Sequence, residues 1–243
     1  MASLGTGALG KVFLVKRRAD EVHFALKLVE LDKMPDEKTK VFARTAVIRE
    51  ASLLSFINSD HLVRCHELYE YRRRIWMIID YMNFGSQEKL VSEGFKDVQG
   101  RKQRVYDADF CRHCLFNVTL AVNAMHQSNV LHRDIKSDNV LADDKGRVKL
   151  ADLGFSNFLS DRESHRKTQG GTQNWIAPEI AKGVRYSKEV DIWSLGCYAQ
   201  ELATGKPPFA PPQFPQDKLF DSIVNAEHTR IEASVWGNDT EDL

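Results

Sequence analysis

The spacing of apolar positions changes as the chain runs. Short β-branched and aromatic segments fill the first third, and helical spacing takes over afterwards. Residues 12–18 (VFLVKRR) and 22–30 (VHFALKLVE) read as strands, with Ala19-Asp20 turning a hairpin between them. From about Lys40 to Asn58 the period predicts a helix, with Val47, Glu50 and Leu54 on one face and Arg49 pointing away. LVRCHELYEY and IWMIIDYM are two more strands, with Arg72, Arg73 and Arg74 at their turn. DADFCRHCLFNVTLAVNAMH predicts a long amphipathic helix capped by Asp107 or Asp109. NVLA and RVKLA flank a DDKG turn and read as a small hairpin, and a further helix covers Glu189 to Thr204. Five of the seven prolines lie between Pro207 and Pro215, marking a loop that ends where QDKLFDSIVNAEH resumes helical spacing. Strands first and helices after predict an α+β architecture in two lobes.

Composition narrows the class. The 243 residues allow one or two domains. Thirty-four basic residues balance thirty-four acidic ones, which argues against a dedicated nucleic-acid or membrane-surface binder. Cys65, Cys111, Cys114 and Cys197 are too few and too scattered for a disulfide scaffold, so a reducing compartment is expected. No apolar run is long enough to span a bilayer. The apolar N-terminus has no preceding cation and is broken by glycines, so it reads as structure and not as a signal peptide. A soluble, intracellular, cytoplasmic protein is expected.

Four separate strings carry chemistry. Gly5-Thr6-Gly7-Ala8-Leu9-Gly10 is a G-x-G-x-x-G whose glycines would let backbone N–H groups reach phosphate oxygens. A dinucleotide site needs a helix after this pattern. Here a strand follows, which favours a glycine-rich hairpin over a nucleotide. Lys27 sits inside an apolar strand, where an edge lysine reaching to water is the ordinary case. Glu50 on the inward face of the following helix makes a phosphate-binding lysine held by a carboxylate the better reading. In His132-Arg133-Asp134-Ile135-Lys136-Ser137-Asp138-Asn139, Asp134 could accept a hydroxyl proton, Lys136 neutralise a transferring phosphoryl group and Asn139 bind a metal. Asp152-Leu153-Gly154 adds a second metal carboxylate. Any one string could be a solvated loop, but four in this order leave little room for coincidence.

With LGTGALGKV, FALK, Glu50, HRDIKSDN, DLG, GTQNWIAPE and DIWSLGC, the sequence resembles the eukaryotic protein kinase catalytic domain across nearly its whole length. The resemblance implies an antiparallel-sheet N-lobe with one long helix and a hinge (residues 1–82), then a mainly helical C-lobe (residues 83–243). ATP would bind between them with Mg2+. It implies that Leu4, Gly5 to Gly10, Lys11 and Val12 cover the nucleotide, and that Val12, Ala25 and Leu141 sandwich adenine. Ile79 would be the gatekeeper and Asp80, Tyr81 and Met82 the hinge. Lys136, with Thr172 in the substrate-docking loop, implies a serine/threonine kinase acting on protein hydroxyls. IIDYMNFGS, HRDIKSDNVL and VKLADLGFS look most like the PAK-like branch of the sterile-twenty group, with NIMA-related kinases second.

The sequence also departs from the family pattern. Leu153 replaces the usual Phe in a hydrophobic column with Cys65, Leu54 and His132, which an apolar side chain of moderate size can still close. Thr168 is the implied activating phosphorylation site, with Arg133 pairing its phosphate, although an extra cation expected near Asn157 is missing. Gln173 and Asn174 replace the usual Pro-Tyr. Cys111 and Cys114 are expected to be buried helix cysteines and not zinc ligands. The Asn117 sequon is expected to be silent, and the prolines with PxxP spacing to be packing. A pseudokinase scaffold is the first rival, opposed by intact Lys27, Glu50, Asp134, Asn139 and Asp152. A small-molecule phosphotransferase is the second, opposed by Thr172 and Ala177-Pro178-Glu179. By comparison with the family, the chain begins at the glycine loop and stops before the closing C-lobe helices. The arginine that normally pairs Glu179 is then missing, and a buried unpaired carboxylate would cost on the order of a few kcal/mol. A fragment of a longer kinase, weakly active alone, is therefore expected.

Overall fold

The computed structural model describes residues 2–7, 10–98, 101–159, 171–209 and 218–225. Its first part is a five-stranded antiparallel sheet. The strands are β1 (Ala2–Gly7), β2 (Gly10–Lys16), β3 (His23–Glu30), β4 (Cys65–Tyr71) and β5 (Arg74–Asp80), in the order β1-β2-β3-β5-β4. Between β3 and β4 runs one long helix, α1 (Glu37–Phe56). It starts earlier than its apolar spacing predicts, because Asp36 accepts the Thr39 N–H at 2.8 Å and caps the first turn. Ala43, Val47, Glu50, Ala51 and Leu54 form its buried stripe, with a single acid among the apolar residues.

The loop between β2 and β3 is longer than an Ala19-Asp20 turn. It runs from Arg17 to Val22 and is closed by backbone bonds between these two residues and from Glu21 to Arg17. The turn between β4 and β5 holds Arg72 and Arg73 at φ of 48° and 58°, the left-handed pair that a tight hairpin uses, while Arg74 already belongs to β5. Gly10 is dictated by packing. A Cβ there would lie 2.1 Å from the Leu28 carbonyl oxygen on the adjacent strand.

After β5 come β6 (Gly85–Ser86), α2 (Glu88–Glu93) and a hairpin of β7 (Phe95–Val98) and β8 (Arg101–Arg104) that the apolar pattern does not announce. The helical part is built on α3 (Ala108–Gln127), capped by Asp107, whose carboxylate accepts the Phe110 N–H at 2.8 Å. Then follow β9 (Val130–Leu131), β10 (Val140–Ala142), β11 (Val148–Leu150), β12 (Asn157–Phe158), α4 (Pro178–Lys182), α5 (Glu189–Thr204) and α6 (Leu219–Val224). The β10–β11 hairpin turns at Gly146 (φ 74°) as its DDKG sequence predicts, and β6 pairs with β10. No helix among the described residues is long and apolar enough to cross a membrane.

The two halves share one core. Val29, Leu54 and Met77 of the sheet lobe belong to the same buried cluster as Val118, Leu150 and Leu153 of the helical lobe. Leu54, Cys65 and Leu153 share this cluster, with Leu in place of Phe, and His132 is buried as well. A second cluster joins Leu131, Ile176, Ile180 and Val190 to Leu219 and Ile223 of α6. Glu179 is half-buried, not fully buried as the sequence led us to expect. The PxxP residues Pro211, Pro212 and Pro215 lie outside the described residues.

All four cysteines are free and buried, and burial pushes the Cys114 and Cys197 thiols up to about 12 and raises that of Cys65. Native protein at pH 8 should therefore resist a disulfide-exchange thiol reagent, and all four thiols should react once guanidinium unfolds it. Rapid stoichiometric labelling of the native chain would contradict this packing.

Candidate functional site

Strand alternation sets the first half of the site. In β3, Ala25 and Lys27 share a face, and the register places Val12 and Met77 beside Lys27 and Ile79 beside Ala25. Lys27 meets Glu50 of α1, with Nζ to Oε2 at 2.6 Å. Lys27 is 14 % exposed and Glu50 4 %, so the pair is nearly dry. Burial alone would lower the Lys27 ammonium, but the Glu50 and Asp152 carboxylates hold it above its ordinary value. The desolvation falls on Glu50, whose carboxyl is pushed up by burial and by Asp152.

The second half lies in the segment after β9. Asp134 is buried, and Oδ1 accepts the Thr172 N–H (2.8 Å) and hydroxyl (2.7 Å). Asn139 Nδ2 donates to Asp134 Oδ2 at 2.9 Å and to its carbonyl at 2.7 Å. Lys136 Nζ donates to Thr172 Oγ1 at 2.6 Å and stands 3.5 Å from Asp134 Oδ2. Asp134, Lys136 and Asn139 of one string thus meet Thr172 in one constellation. Gly171, next to Thr172, has φ 103°, and a Cβ there would lie 2.5 Å from the Arg133 carbonyl oxygen. The chain can pass this close only at glycine.

Asp152 joins the two halves. Its backbone is left-handed (φ 61°), held by Gly154 N–H donating to its own Oδ1 at 3.0 Å. The Ala151 N–H donates to the Asn139 carbonyl at 2.8 Å, tying this segment to the Asp134 loop. His132 bridges the same pair of segments: Nδ1 accepts the Asp134 N–H, and Nε2 donates to the Ala151 carbonyl. Asn139 spends its amide nitrogen on Asp134, which leaves the amide oxygen as its acceptor. Together with the Asp152 carboxylate this is an oxygen-donor set of the kind Mg2+ accepts beside substrate phosphates.

The nucleotide-side residues are placed as follows. Leu4, Gly5 and Thr6 lie on exposed β1, and Gly10, exposed Lys11 and half-buried Val12 on β2. Gly7 closes β1, while Ala8 and Leu9 lie outside the described residues. Leu141 on β10 is half-buried. Tyr81 is half-buried and Met82 buried just beyond β5. Alternation turns the Asp80 carboxylate to the opposite face of the sheet from Ile79. There it accepts Lys149 Nζ at 2.7 Å and bonds His66 Nε2 at 2.8 Å.

Arg133 (φ 68°) bonds the Phe155 carbonyl through Nε and Nη2, and the Tyr186 hydroxyl through Nη1 at 2.9 Å. Arg49 does not point away into solvent. It is half-buried and bonds Asn157 Oδ1, because α1 packs against the start of the segment that follows Asp152. Thr168 lies outside the described residues.

Two carboxylates of α5 escaped the sequence reading. Asp191 is fully buried and accepts the His132 and Arg133 N–H groups at 2.9 and 2.8 Å and bonds His126 Nε2 at 2.8 Å. Glu201 bonds the Ser137 N–H, the Ser137 hydroxyl and the Trp175 indole N–H at 3.1, 2.5 and 3.1 Å. Burial pushes its carboxyl up, against the pull of those donors. Asp191, Ser194, Tyr198 and Glu201 recur at helical spacing on one buried face, a signal that the sequence did contain.

The comparisons with known proteins agree with this geometry. The family described as protein kinase domain matches residues 1–239. Serine/threonine-protein kinase shk2 of Schizosaccharomyces pombe is 34% identical over 214 residues, covering 85% of this chain and 33% of that protein. Serine/threonine-protein kinase PAK 1 of Mus musculus is 33% identical over 206 residues (85% of this chain, 35% of that protein). An Aurora kinase of Patiria pectinifera is 32% identical over 206 residues (85% and 47%). The chain thus spans a third to a half of the length of these curated relatives.

Replacing Glu201 with Ala would strand three donors, two of them backbone or indole N–H groups in a dry site. We expect a loss of about 2–4 kcal/mol in urea unfolding, with Glu201→Gln losing less. Equal stability of Glu201→Ala and the parent would contradict this role.

Proposed function

The chain belongs to the protein kinase domain family, and on that premise we propose that it is an ATP-dependent serine/threonine protein kinase. It would transfer the γ-phosphoryl group of ATP to Ser or Thr hydroxyls of protein substrates. The observation that carries the reading is the Asp134 carboxylate, buried and fixed by Thr172 and Asn139 with Lys136 beside it. That arrangement is coupled through Asp152 to the Lys27–Glu50 pair.

Phosphoryl transfer asks little covalent work of a protein, so positioning and charge account for the catalysis. Mg2+-ATP, when bound, supplies the transferable group and the divalent charge that offsets it. Lys27, held by Glu50, aligns the α- and β-phosphates, and the backbone N–H groups from Gly5 to Gly10, with Lys11, cover them. Val12, Ala25 and Leu141 provide the apolar walls for adenine, below Ile79, and the main chain of Asp80 to Met82 provides its polar edge. Asn139 and Asp152 would hold the metal. Asp134 takes the hydrogen bond of the acceptor hydroxyl, orients its oxygen for in-line attack and receives its proton. Lys136 lies where negative charge grows, and Thr172 keeps both side chains in register. The Lys136–Thr172 contact supports hydroxyl acceptors of the Ser/Thr type.

With the likeness to PAK-like kinases in support, we propose a signalling enzyme of the cytoplasm controlled by its activation segment, with Thr168 as the modified residue. Arg133 and Arg49 both bond the stretch from Phe155 to Asn157, so two cations stand near the start of that segment.

Incubation with Mg2+-ATP and a generic basic protein, with no acceptor, and with small alcohols tests the reading. We expect transfer to protein Ser and Thr, and loss of transfer in Asp134→Ala and in Lys27→Met. Undiminished turnover in either variant, or transfer to small alcohols alone, would overturn it.

A further inference from the structure

The strongest feature that phosphotransfer does not use is a cavity of about 420 Å3 on the side of the hinge opposite Lys27. Sheet alternation creates it. Phe24 and Asp80 are register partners on β3 and β5, and both face away from the Ala25 side. The loop after β2 brings Arg17 to one wall, and the β10–β11 turn brings Lys145 and Arg147 to the other. The cavity is therefore shared by the sheet lobe and the helical lobe.

Its chemistry is cationic and aromatic. Arg17 stacks over the Phe24 ring at 5.1 Å, His66 meets the same ring edge-on at 5.0 Å, and His23 lies against Tyr81 at 6.3 Å. The one acid in the lining is already spent. Asp80 bonds Lys149 and His66 through its two oxygens and also accepts the Arg64 N–H at 3.1 Å. Burial pushes the Asp80 carboxyl up, but these donors outweigh it and keep it below its ordinary value. Its charge is thus neutralised at the floor, and an incoming anion is not repelled by it. Arg17 pairs with the exposed Asp20, and the exposed guanidinium of Arg147 is held by the buried Asp143, so each arginine can share its outward N–H groups with a second carboxylate. The Lys145 ammonium is exposed and has no partner among the described residues.

We propose that this cavity behind the hinge is a docking site for an acidic segment of a partner protein. Carboxylates of the segment would meet Lys145, Arg147 and Arg17, and an apolar side chain would lie on Phe24 and Tyr81. The cations select charge and the rings select a bulky neighbour, so a bare polyanion satisfies only half of the site. The inference is independent of the phosphotransfer reading, because none of the cations just named acts in that chemistry.

The test is the fluorescence anisotropy of a short fluorescein-labelled peptide of Asp and Glu carrying one Phe and one Leu. It is titrated with the full chain at low salt and without nucleotide, so failure to phosphorylate does not bear on the result. We expect saturable binding that weakens with salt and falls at least about tenfold in Arg17→Glu/Lys145→Glu. The distant charge control Arg72→Glu/Arg73→Glu should bind as the parent does, and saturating ATP should leave the peptide bound. No binding by the parent, equal binding by Arg17→Glu/Lys145→Glu, equal affinity for polyglutamate, weakening in the charge control or displacement by ATP would each overturn the proposal.

Discussion

The buried contact between Lys27 and Glu50 is the constraint on which the rest of the site depends. Two charges taken almost completely out of water cost several kcal/mol each, and only close pairing offsets that cost. The 2.6 Å contact does so only while α1 stays docked on the sheet. Docking in turn rests on the apolar stripe of α1 and on Leu54 packing in the core that contains Leu153. The charge pair, the helix position and the residue after Asp152 are therefore one coupled arrangement. Leu153 is smaller than an aromatic ring, yet it is 1 % exposed, so the arrangement closes without one.

The loop that carries Asp134 is held by a different device. Asp191 and Glu201 project from one face of α5 and take up backbone N–H groups of His132, Arg133 and Ser137. Arg133 and Asp152 both stand in the left-handed region, where a non-glycine residue costs on the order of 1–3 kcal/mol. Asp191 and the guanidinium bonds to the Phe155 carbonyl hold Arg133, and the Ala151 N–H bond to the Asn139 carbonyl with the Gly154 N–H on Oδ1 holds Asp152. The loop that carries Asp134 is thus fixed by hydrogen bonds internal to the fold, which is what an electrostatic mechanism requires.

Much of this was legible in the sequence, for identifiable reasons. Lys27 and Glu50 stood out because a charge interrupts an apolar strand and an apolar helix face. Asp134, Lys136, Asn139 and Asp152 lie in short strings whose spacing is set by the chemistry. The residues that escaped are those whose partners are distant along the chain. Asp191 acts across fifty-eight positions on Arg133 and Glu201 across sixty-four on Ser137, so no local pattern announces either contact. Arg49 follows the same rule, since only the packing of α1 brings Asn157 within reach. The β7–β8 hairpin escaped because FKDV and RKQR carry almost no apolar alternation. The opposite facing of Asp80 and Ile79, by contrast, could have been read from period-two alternation alone.

The central claim is that the buried pair aligns the nucleotide for transfer. Glu50→Gln tests it most directly, because the substitution keeps the shape of the side chain and removes the charge that holds Lys27. The measurement is the rate of Mg2+-ATP-dependent phosphorylation of a protein substrate by Glu50→Gln and by the parent, with circular dichroism confirming that both are folded. The account predicts a fall in kcat of at least about a hundredfold in a folded variant. A folded Glu50→Gln variant that turns over at the parental rate would contradict it.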